Sequence, residues 1–175
     1  MEKSYKEIMP QITTFIFDVD GVLTDGTVTI FPDGELIRRM NTKDGYALKT
    51  AVELGYNVCI ITGGTNASIK SRLGGLGVTD IYLGADNKID QLDEYLEINE
   101  ISAENVLYMG DDIPDYMPME VVGLPTCPKD AVPEIQNISK YISQKRGGKG
   151  CVRDVIEQVL KVQDKWNMHS NVKQD

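Results

Sequence analysis

The sequence contains little histidine and little cysteine. Its single histidine, His169, lies in a polar C-terminal stretch, so a mechanism built on a histidine base or on histidine metal ligands is almost excluded. The three cysteines, Cys59, Cys127 and Cys151, are widely separated and form no CxxC pair. This spacing argues against a disulfide framework or a zinc site, and it predicts three buried free thiols.

The sequence also lacks a long hydrophobic run and an excess of positive charge. No stretch approaches the roughly 20 consecutive apolar residues that a membrane helix needs, and the opening MEKSYKEIMPQI lacks the apolar core of a signal peptide. We therefore expect a cytoplasmic protein with no membrane partner. The net charge of −9 argues against nucleic-acid binding, which needs clustered lysine and arginine. A small anionic substrate remains compatible, because a few local cations can outweigh the global sign.

The 175 residues suit one domain with its own hydrophobic core. We predict that domain over residues 1–165 and a flexible polar tail over residues 166–175. Apolar periods typical of strands and of helices alternate along the chain. Strands are predicted at 13–19, 57–61, 80–83, 105–109, 122–126 and 140–142, and helices at 44–54, 66–73, 88–98 and 151–162. This alternation predicts an α/β fold with a doubly wound, Rossmann-like parallel sheet.

One segment interrupts this alternation. Residues 27–40 alternate apolar and polar side chains around Pro32-Asp33-Gly34, which is a strong hairpin signal. The hairpin follows the end of the first predicted strand. We therefore expect it to project beside that strand's carboxyl end, where parallel sheets bind their ligands.

Acidic residues follow two of the predicted strands. Asp18 and Asp20 end the first strand, and their like charges require a cation or a shared proton unless they only form turn hydrogen bonds. The later segment GDDIPD holds Asp111, Asp112 and Asp115. Together, Asp18, Asp20 and Asp111 offer the all-oxygen ligand set that suits Mg²⁺. Asp112 and Asp115 either support the site or only orient the loop and cap the following helix.

Phosphate-binding groups are predicted at two further positions. Thr62-Gly63 offers a hydroxyl and an unhindered backbone N–H at the start of a helix, where anions bind, although such a turn is common. Lys88 opens another helix, and a cation there opposes the helix dipole. That placement indicates either phosphate neutralisation or a solvated lysine.

The order DVDGVLTDG, T-G, lysine and GDDIPD over residues 15–115 resembles the haloacid dehalogenase superfamily. The resemblance implies a Mg²⁺-dependent phosphatase in which Asp18 attacks phosphorus and forms an aspartyl phosphate. Asp20 would protonate the leaving group and then activate water. Asp18, the backbone carbonyl of Asp20 and Asp111 would hold the metal. The groups steadying the phosphoryl group would be Thr62, Gly63 and Lys88.

The spacing leaves no room for a separate cap domain. Asp20 and Thr62 lie 42 positions apart and Thr62 and Lys88 lie 26 apart, and predicted elements fill both intervals. An open site of this kind implies either a large substrate or a lid supplied by a neighbouring subunit.

Two longer segments, DGELIRRMNTKDGYALKTA and RGGKGCVRDV, resemble the family of 3-deoxy-D-manno-octulosonate 8-phosphate phosphatases over residues 13–160. This resemblance implies a homotetramer that acts on a small sugar-acid phosphate in lipopolysaccharide sugar biosynthesis. Its hairpins would form a central barrel, and a glycine-rich C-terminal segment would reach a neighbour's site. The implied substrate-binding residues are Asp20, Asn41, Thr42, Lys43, Asp44, Gly45, Lys49 and Arg72. The alternatives are an ordinary capping loop with Asp44 as the N-cap, and solvated charges at Lys49 and Arg72.

The sequence departs from this family at two positions. Gly64 stands where many members have arginine, which removes one possible substrate contact. Lys49 stands where arginine is common, so a bidentate carboxylate contact becomes a point-charge contact. A related branch acts on nine-carbon keto-acid phosphates (the KDN 9-phosphate type) and favours charged residues in the region of the Thr62 helix. Gly64 and Gly74-Gly75 are too small and neutral for that branch. We therefore predict the eight-carbon substrate. The alternatives are the nine-carbon substrate and a non-catalytic scaffold of the same fold.

Overall fold

The computed structural model describes residues 3–166, which form an α/β fold around a parallel sheet. The strands are β1 (Thr14–Phe17), β2 (Thr29–Ile30), β3 (Leu36–Ile37), β4 (Asn57–Ile61), β5 (Asp80–Tyr82), β6 (Val106–Met109), β7 (Leu124–Cys127) and β8 (Tyr141–Ile142). The helices are α1 (Tyr5–Ile8), α2 (Thr42–Glu53), α3 (Ala67–Gly74), α4 (Lys88–Ile98), α5 (Tyr116–Val121), α6 (Pro133–Ile138) and α7 (Cys151–Val162). The part of the predicted tail from residue 167 to residue 175 lies outside the described residues.

The main sheet confirms the predicted fold class. Its strand order is β5-β4-β1-β6-β7-β8, and each neighbouring pair is parallel. All four residues of β1 and all four of β6 are buried, as expected for strands covered on both faces. Phe15 and Phe17 pack into one apolar cluster with α2 and α7, whereas Ile16 packs into a second cluster with α4. The sheet is therefore doubly wound.

The hairpin is confirmed, with a shorter ladder than its alternating sequence suggests. β2 and β3 are antiparallel, with Ile30 opposite Leu36, and each contributes two residues. Gly34 has φ +88° in the connecting turn. The hairpin is the insertion between β1 and α2, while α3 and β5 fill the interval between β4 and α4. No cap domain is inserted at either place within the described residues.

Several element boundaries differ from the predictions. α2 begins at Thr42, and its N-cap is Asn41, whose side chain accepts the N–H of Lys43 at 2.9 Å. The alternative with Asp44 as the N-cap is therefore wrong. The six-residue helices α5 and α6 were not predicted, because such short segments complete too few turns to show a period. No helix within residues 3–166 has the length and apolar composition to cross a bilayer.

Candidate active site

The predicted acids and phosphate-binding residues meet at one edge of the main sheet. β1 lies between β4 and β6, with Phe17 paired to Ile60 on one side and to Met109 on the other. Asp18 follows β1 directly, Thr62 follows β4 directly, and Asp111 lies two residues after β6. Because all three strands are parallel, their carboxyl ends bring these side chains together. They line a groove of about 430 Å³ that also includes Asp20, Gly63 and Lys88.

A buried lysine joins two acids at the bottom of this groove. The Nζ of Lys88 lies 2.9 Å from Oδ2 of Asp18 and 2.7 Å from Oδ1 of Asp115. Only 4% of the lysine side chain is exposed. Burial lowers the pKa of Lys88, but Asp115 and Asp18 outweigh that effect and raise the pKa above its ordinary value. The lysine therefore carries a positive charge inside the site.

Asp115 orients this network. Its Oδ1 accepts from the Tyr108 hydroxyl at 2.9 Å as well as from Lys88, and its Oδ2 accepts the backbone N–H of Asp111 at 3.1 Å. A β-carbon on Gly110 would lie 2.3 Å from that of Asp115, so the backbone packs directly against the carboxylate. Asp112 is different, because it is exposed and caps the next turn by accepting the N–H of Ile113 at 2.8 Å.

The electrostatics of Asp18 and Asp111 fit a divalent cation. Oxygens of Asp18, Asp111 and Asp115 lie within 4.8 Å of one another. Burial, then the charge of Asp115, raises the pKa of Asp18 to about 7, and burial, then the charge of Asp18, raises that of Asp111 to about 8. Oδ1 of Asp111 is buried without a hydrogen-bond partner. Asp111 therefore has a free oxygen that a cation could bind, whereas both oxygens of Asp115 already accept hydrogen bonds.

Gly21 holds Asp111 close to the loop that carries Asp18 and Asp20. Its φ is +86°, and a β-carbon there would lie 1.9 Å from Oδ2 of Asp111. The loop can therefore approach the carboxylate only with glycine at this position.

Asp20 is held by Arg38, which the sequence reasoning did not single out. Nε of Arg38 donates to Oδ1 of Asp20 at 2.6 Å, and Nη2 donates to Oδ2 at 2.9 Å. Nη1 donates to Oδ1 of Asn66 at 2.8 Å. The side chain of Arg38 is 9% exposed, against 35% for Asp20. The strand pattern LIRRM offers no signal that would distinguish Arg38 from its exposed neighbour Arg39.

The Thr62-Gly63 turn precedes α3 instead of opening it. Thr62 is buried, and its hydroxyl accepts the N–H of Gly64 at 3.2 Å. α3 begins at Ala67, five residues after Thr62, so the expected position at a helix start is wrong. A β-carbon on Gly64 would lie 3.5 Å from Nη2 of Arg38, which places a guanidinium next to this glycine.

The residues predicted from the resemblance to bind the sugar lie in more than one place. Thr42 and Arg72 line a second cavity of about 510 Å³, which also includes Arg38. Gly45 borders Arg72, because a β-carbon there would lie 2.9 Å from its Nη2. Lys49 is half-buried two turns after Thr42 along α2.

The remaining predicted residues lie towards α7. Lys43 lines a separate surface groove with Lys149. Asn41 donates to the backbone carbonyl of Gly148 at 3.4 Å. Asp44 is buried, its Oδ1 accepts the N–H of Arg153 at 2.8 Å in the first turn of α7, and burial raises its pKa to about 6. The structure therefore places Asp44 at a helix junction.

Comparisons with known proteins find a matching family and similar structures. The model of the haloacid dehalogenase-like hydrolases matches residues 69–155. The chain is 38% identical over 154 residues to 3-deoxy-D-manno-octulosonate 8-phosphate phosphatase KdsC of Escherichia coli K12, covering 88% of this chain and 82% of that protein. The crystal structure of the Yersinia pestis phosphatase of the same name superposes with a TM-score of 0.89 at 34% identity, covering 91% of this chain and 86% of that chain. The Moraxella catarrhalis phosphatase, solved with magnesium, phosphate and KDO, gives a TM-score of 0.88 at 31% identity and covers 91% of each chain.

The fold and the acidic site together define a phosphatase of the haloacid dehalogenase-like class, which uses Mg²⁺. Within that class, the chain belongs to the family of 3-deoxy-D-manno-octulosonate 8-phosphate phosphatases.

Proposed function

We propose that this enzyme hydrolyses 3-deoxy-D-manno-octulosonate 8-phosphate to the free sugar acid and inorganic phosphate, as a step in lipopolysaccharide sugar synthesis. The observation that carries the proposal is the buried Lys88–Asp18 contact of 2.9 Å at the end of the central strand. A carboxylate nucleophile beside a buried cation suits phosphoryl transfer, which needs positioning and charge neutralisation. The names of the relatives support this substrate.

Asp18 is the proposed nucleophile. Its Oδ1 accepts the N–H of Val19 at 2.6 Å and its Oδ2 faces Lys88, so the carboxylate is fixed in one orientation. A carboxylate oxygen attacks phosphorus, the bond from phosphorus to the sugar oxygen breaks, and Asp20 gives its proton to the leaving alkoxide. Water then attacks the aspartyl phosphate and gives a proton to Asp20, and the bond to Asp18 breaks. Lys88 neutralises charge on the phosphoryl oxygens, and the Thr62 turn donates hydrogen bonds to them.

Asp18, Asp111 and the backbone carbonyl of Asp20 are the proposed Mg²⁺ ligands. The raised pKa values of Asp18 and Asp111 and the unpartnered Oδ1 of Asp111 support this assignment. Bound Mg²⁺ supplies positive charge that favours both carboxylates in their ionised form and neutralises the phosphate. Asp115 holds the loop through its own hydrogen bonds, and Asp112 caps the turn.

The second cavity is the proposed site for the sugar-acid end of the substrate. Thr42 and Arg72 line it, so a hydroxyl and a guanidinium face an anionic, hydroxylated ligand, while Arg38 at its border already donates to Asp20 and Asn66. Its volume of about 510 Å³ lies within the usual range for a small-molecule pocket, about 300–1,000 Å³. Lys43 and Asp44 lie on the side of α7, so a direct role for them requires a substrate that extends there.

A substrate panel tests the function. Purified enzyme with Mg²⁺ is assayed for phosphate release from the eight-carbon acid phosphate, the nine-carbon acid phosphate and neutral sugar phosphates. We expect the highest kcat/KM for the eight-carbon acid and loss of several orders of magnitude in Asp18→Asn. A higher kcat/KM for the nine-carbon acid phosphate would make that compound the substrate in place of the eight-carbon one. No phosphate release from any compound, together with no Mg²⁺ binding by calorimetry, would favour the scaffold alternative.

The hairpin is the proposed contact between subunits of a homotetramer. Val28, Ile30, Phe31 and Ile37 are exposed on it, with 71% of Ile30 accessible, and exposed apolar patches of this kind mark interaction sites. Light scattering should report a tetramer for the parent protein and smaller species for Ile30→Asp. The matched control is Val121→Asp, an exposed apolar site on α5, which should leave the mass unchanged. A monomeric parent protein would contradict the assembly.

The three cysteines support the proposed cytoplasmic location. Cys59, Cys127 and Cys151 are free and buried, which suits a compartment that keeps thiols reduced.

A further inference from the structure

Arg38 makes an unusually complete contact with the acid that moves the proton. Two nitrogens of its guanidinium meet the two oxygens of Asp20 at 2.6 and 2.9 Å, which is the bidentate geometry that fixes a carboxylate in its plane. The pair links residues 18 positions apart in sequence. The loop that carries Asp20 is therefore tied to the segment that follows β3.

The guanidinium is itself held from a second side. Its Nη1 donates to Oδ1 of Asn66 at 2.8 Å, and the side-chain amide of Asn66 donates to the carbonyl of Leu36 at 3.4 Å. Asn66 is the N-cap residue of α3. Hydrogen bonding with Asp20 raises the pKa of Arg38 despite its burial, so the charge is permanent. A buried, permanently charged group between two fixed partners has little freedom to move.

We propose that Arg38 is the positioning residue of Asp20, holding the carboxylate in the plane from which it exchanges a proton with the substrate oxygen and with water. The proposal rests on the proposed function, because it assigns Asp20 the proton transfers of that reaction. Arg38 acts through Asp20. Its loss should therefore lower kcat and leave KM nearly unchanged, since small displacements of a catalytic group can slow a reaction by about 100-fold.

The experiment is a double-mutant cycle on the full-length enzyme with Mg²⁺. Arg38→Gln, Asp20→Asn and the double variant are assayed with p-nitrophenyl phosphate. Its leaving group needs little protonation, so the cycle reports on Asp20 as the base that accepts the proton of the attacking water. We expect Arg38→Gln to lower kcat by about 10- to 100-fold in the parent enzyme. In the Asp20→Asn background the same change should lower kcat by less than about threefold, because the two residues act as one unit.

Two further variants keep the cycle interpretable. Arg38→Lys keeps the charge and loses the bidentate geometry, so its kcat should fall between those of the parent and Arg38→Gln. Arg39→Gln removes the same charge from the adjacent exposed position and should leave kcat unchanged. Arg38→Lys also serves if Arg38→Gln fails to fold, which thermal melting would reveal.

The outcomes separate this proposal from the function on which it rests. A parent-like kcat in Arg38→Gln or Arg38→Lys, or equal losses in both Asp20 backgrounds, would overturn the positioning role while leaving the phosphatase intact. A rise in KM with kcat unchanged would also overturn it, since Arg38 would then bind substrate directly. Failure of the parent enzyme to release phosphate from the eight-carbon acid, with the cycle behaving as expected, would overturn only the substrate assignment.

Discussion

Replacing Lys88 by methionine tests the buried charge network most severely. The lysine is 4% exposed and contacts Asp18 at 2.9 Å and Asp115 at 2.7 Å. Methionine fills a similar volume and leaves two buried carboxylates without their cation. Removing one partner of a buried ion pair typically costs about 3–5 kcal/mol of unfolding free energy. We expect a loss of that size for Lys88→Met in EDTA at pH 8.

The same variant should depend on pH in a defined direction. Lys88 lowers the pKa of Asp18 against the larger effect of burial, so its removal raises that pKa further above about 7. Protonation at pH 5 then relieves the uncompensated charge, and the loss of stability should be smaller than at pH 8. Urea unfolding followed by circular dichroism, at one protein concentration, measures both values.

Lys70→Met is the matched control for this variant. Lys70 is exposed on α3, and a surface substitution of this kind changes the unfolding free energy by no more than about 0.5 kcal/mol. If Lys88→Met in EDTA were as stable as Lys70→Met at pH 8, the buried network would not stabilise the fold as described.

In EDTA the protein should lose stability as the pH rises from about 4 to about 8. The folded-state pKa values of about 7 for Asp18 and about 8 for Asp111 exceed the ordinary 3.8. The folded state therefore binds more protons than the unfolded state in that window. Thermal melting would show this, and an EDTA melting temperature that rose with pH would contradict it. Gly21→Ala should weaken Mg²⁺ binding at least about tenfold in calorimetry, since displacement of a ligand has effects of that order. The control Gly34→Ala, which has open space around it, should bind Mg²⁺ as the parent does. Equal Mg²⁺ affinities of Gly21→Ala and the parent would refute the close approach of Gly21 to Asp111. Asp44→Ala should lower the unfolding free energy by about 1–2 kcal/mol, because it removes the acceptor of the buried N–H of Arg153 in α7, and KM should be unchanged. A raised KM at parent stability would place Asp44 at the substrate.

The sheet and its acidic edge were predictable because their signals are local. Each apolar strand is short, buried on both faces and followed at once by its functional residues, as with Asp18 after β1 and Thr62 after β4. The order of parallel strands then forces these strand ends together. The same logic placed Asp111 after β6.

The support around the acids was not predictable because it depends on distant partners. Asp112 and Asp115 look alike in GDDIPD, yet Asp115 is buried because Lys88, 27 positions away, and Tyr108 reach it, whereas Asp112 is exposed. Arg38 is distinguished from its neighbour only by the path of the chain after the hairpin, which points it at Asp20.

The central claim is that Asp18 carries the phosphoryl group during turnover. Acid quenching during turnover, borohydride reduction of acyl phosphates and peptide mass mapping would identify the modified residue. We expect conversion of Asp18 alone to homoserine, dependent on substrate and Mg²⁺ and absent from Asp18→Asn. Homoserine at Asp20 or Asp111, or rapid phosphate release by Asp18→Asn, would contradict the account.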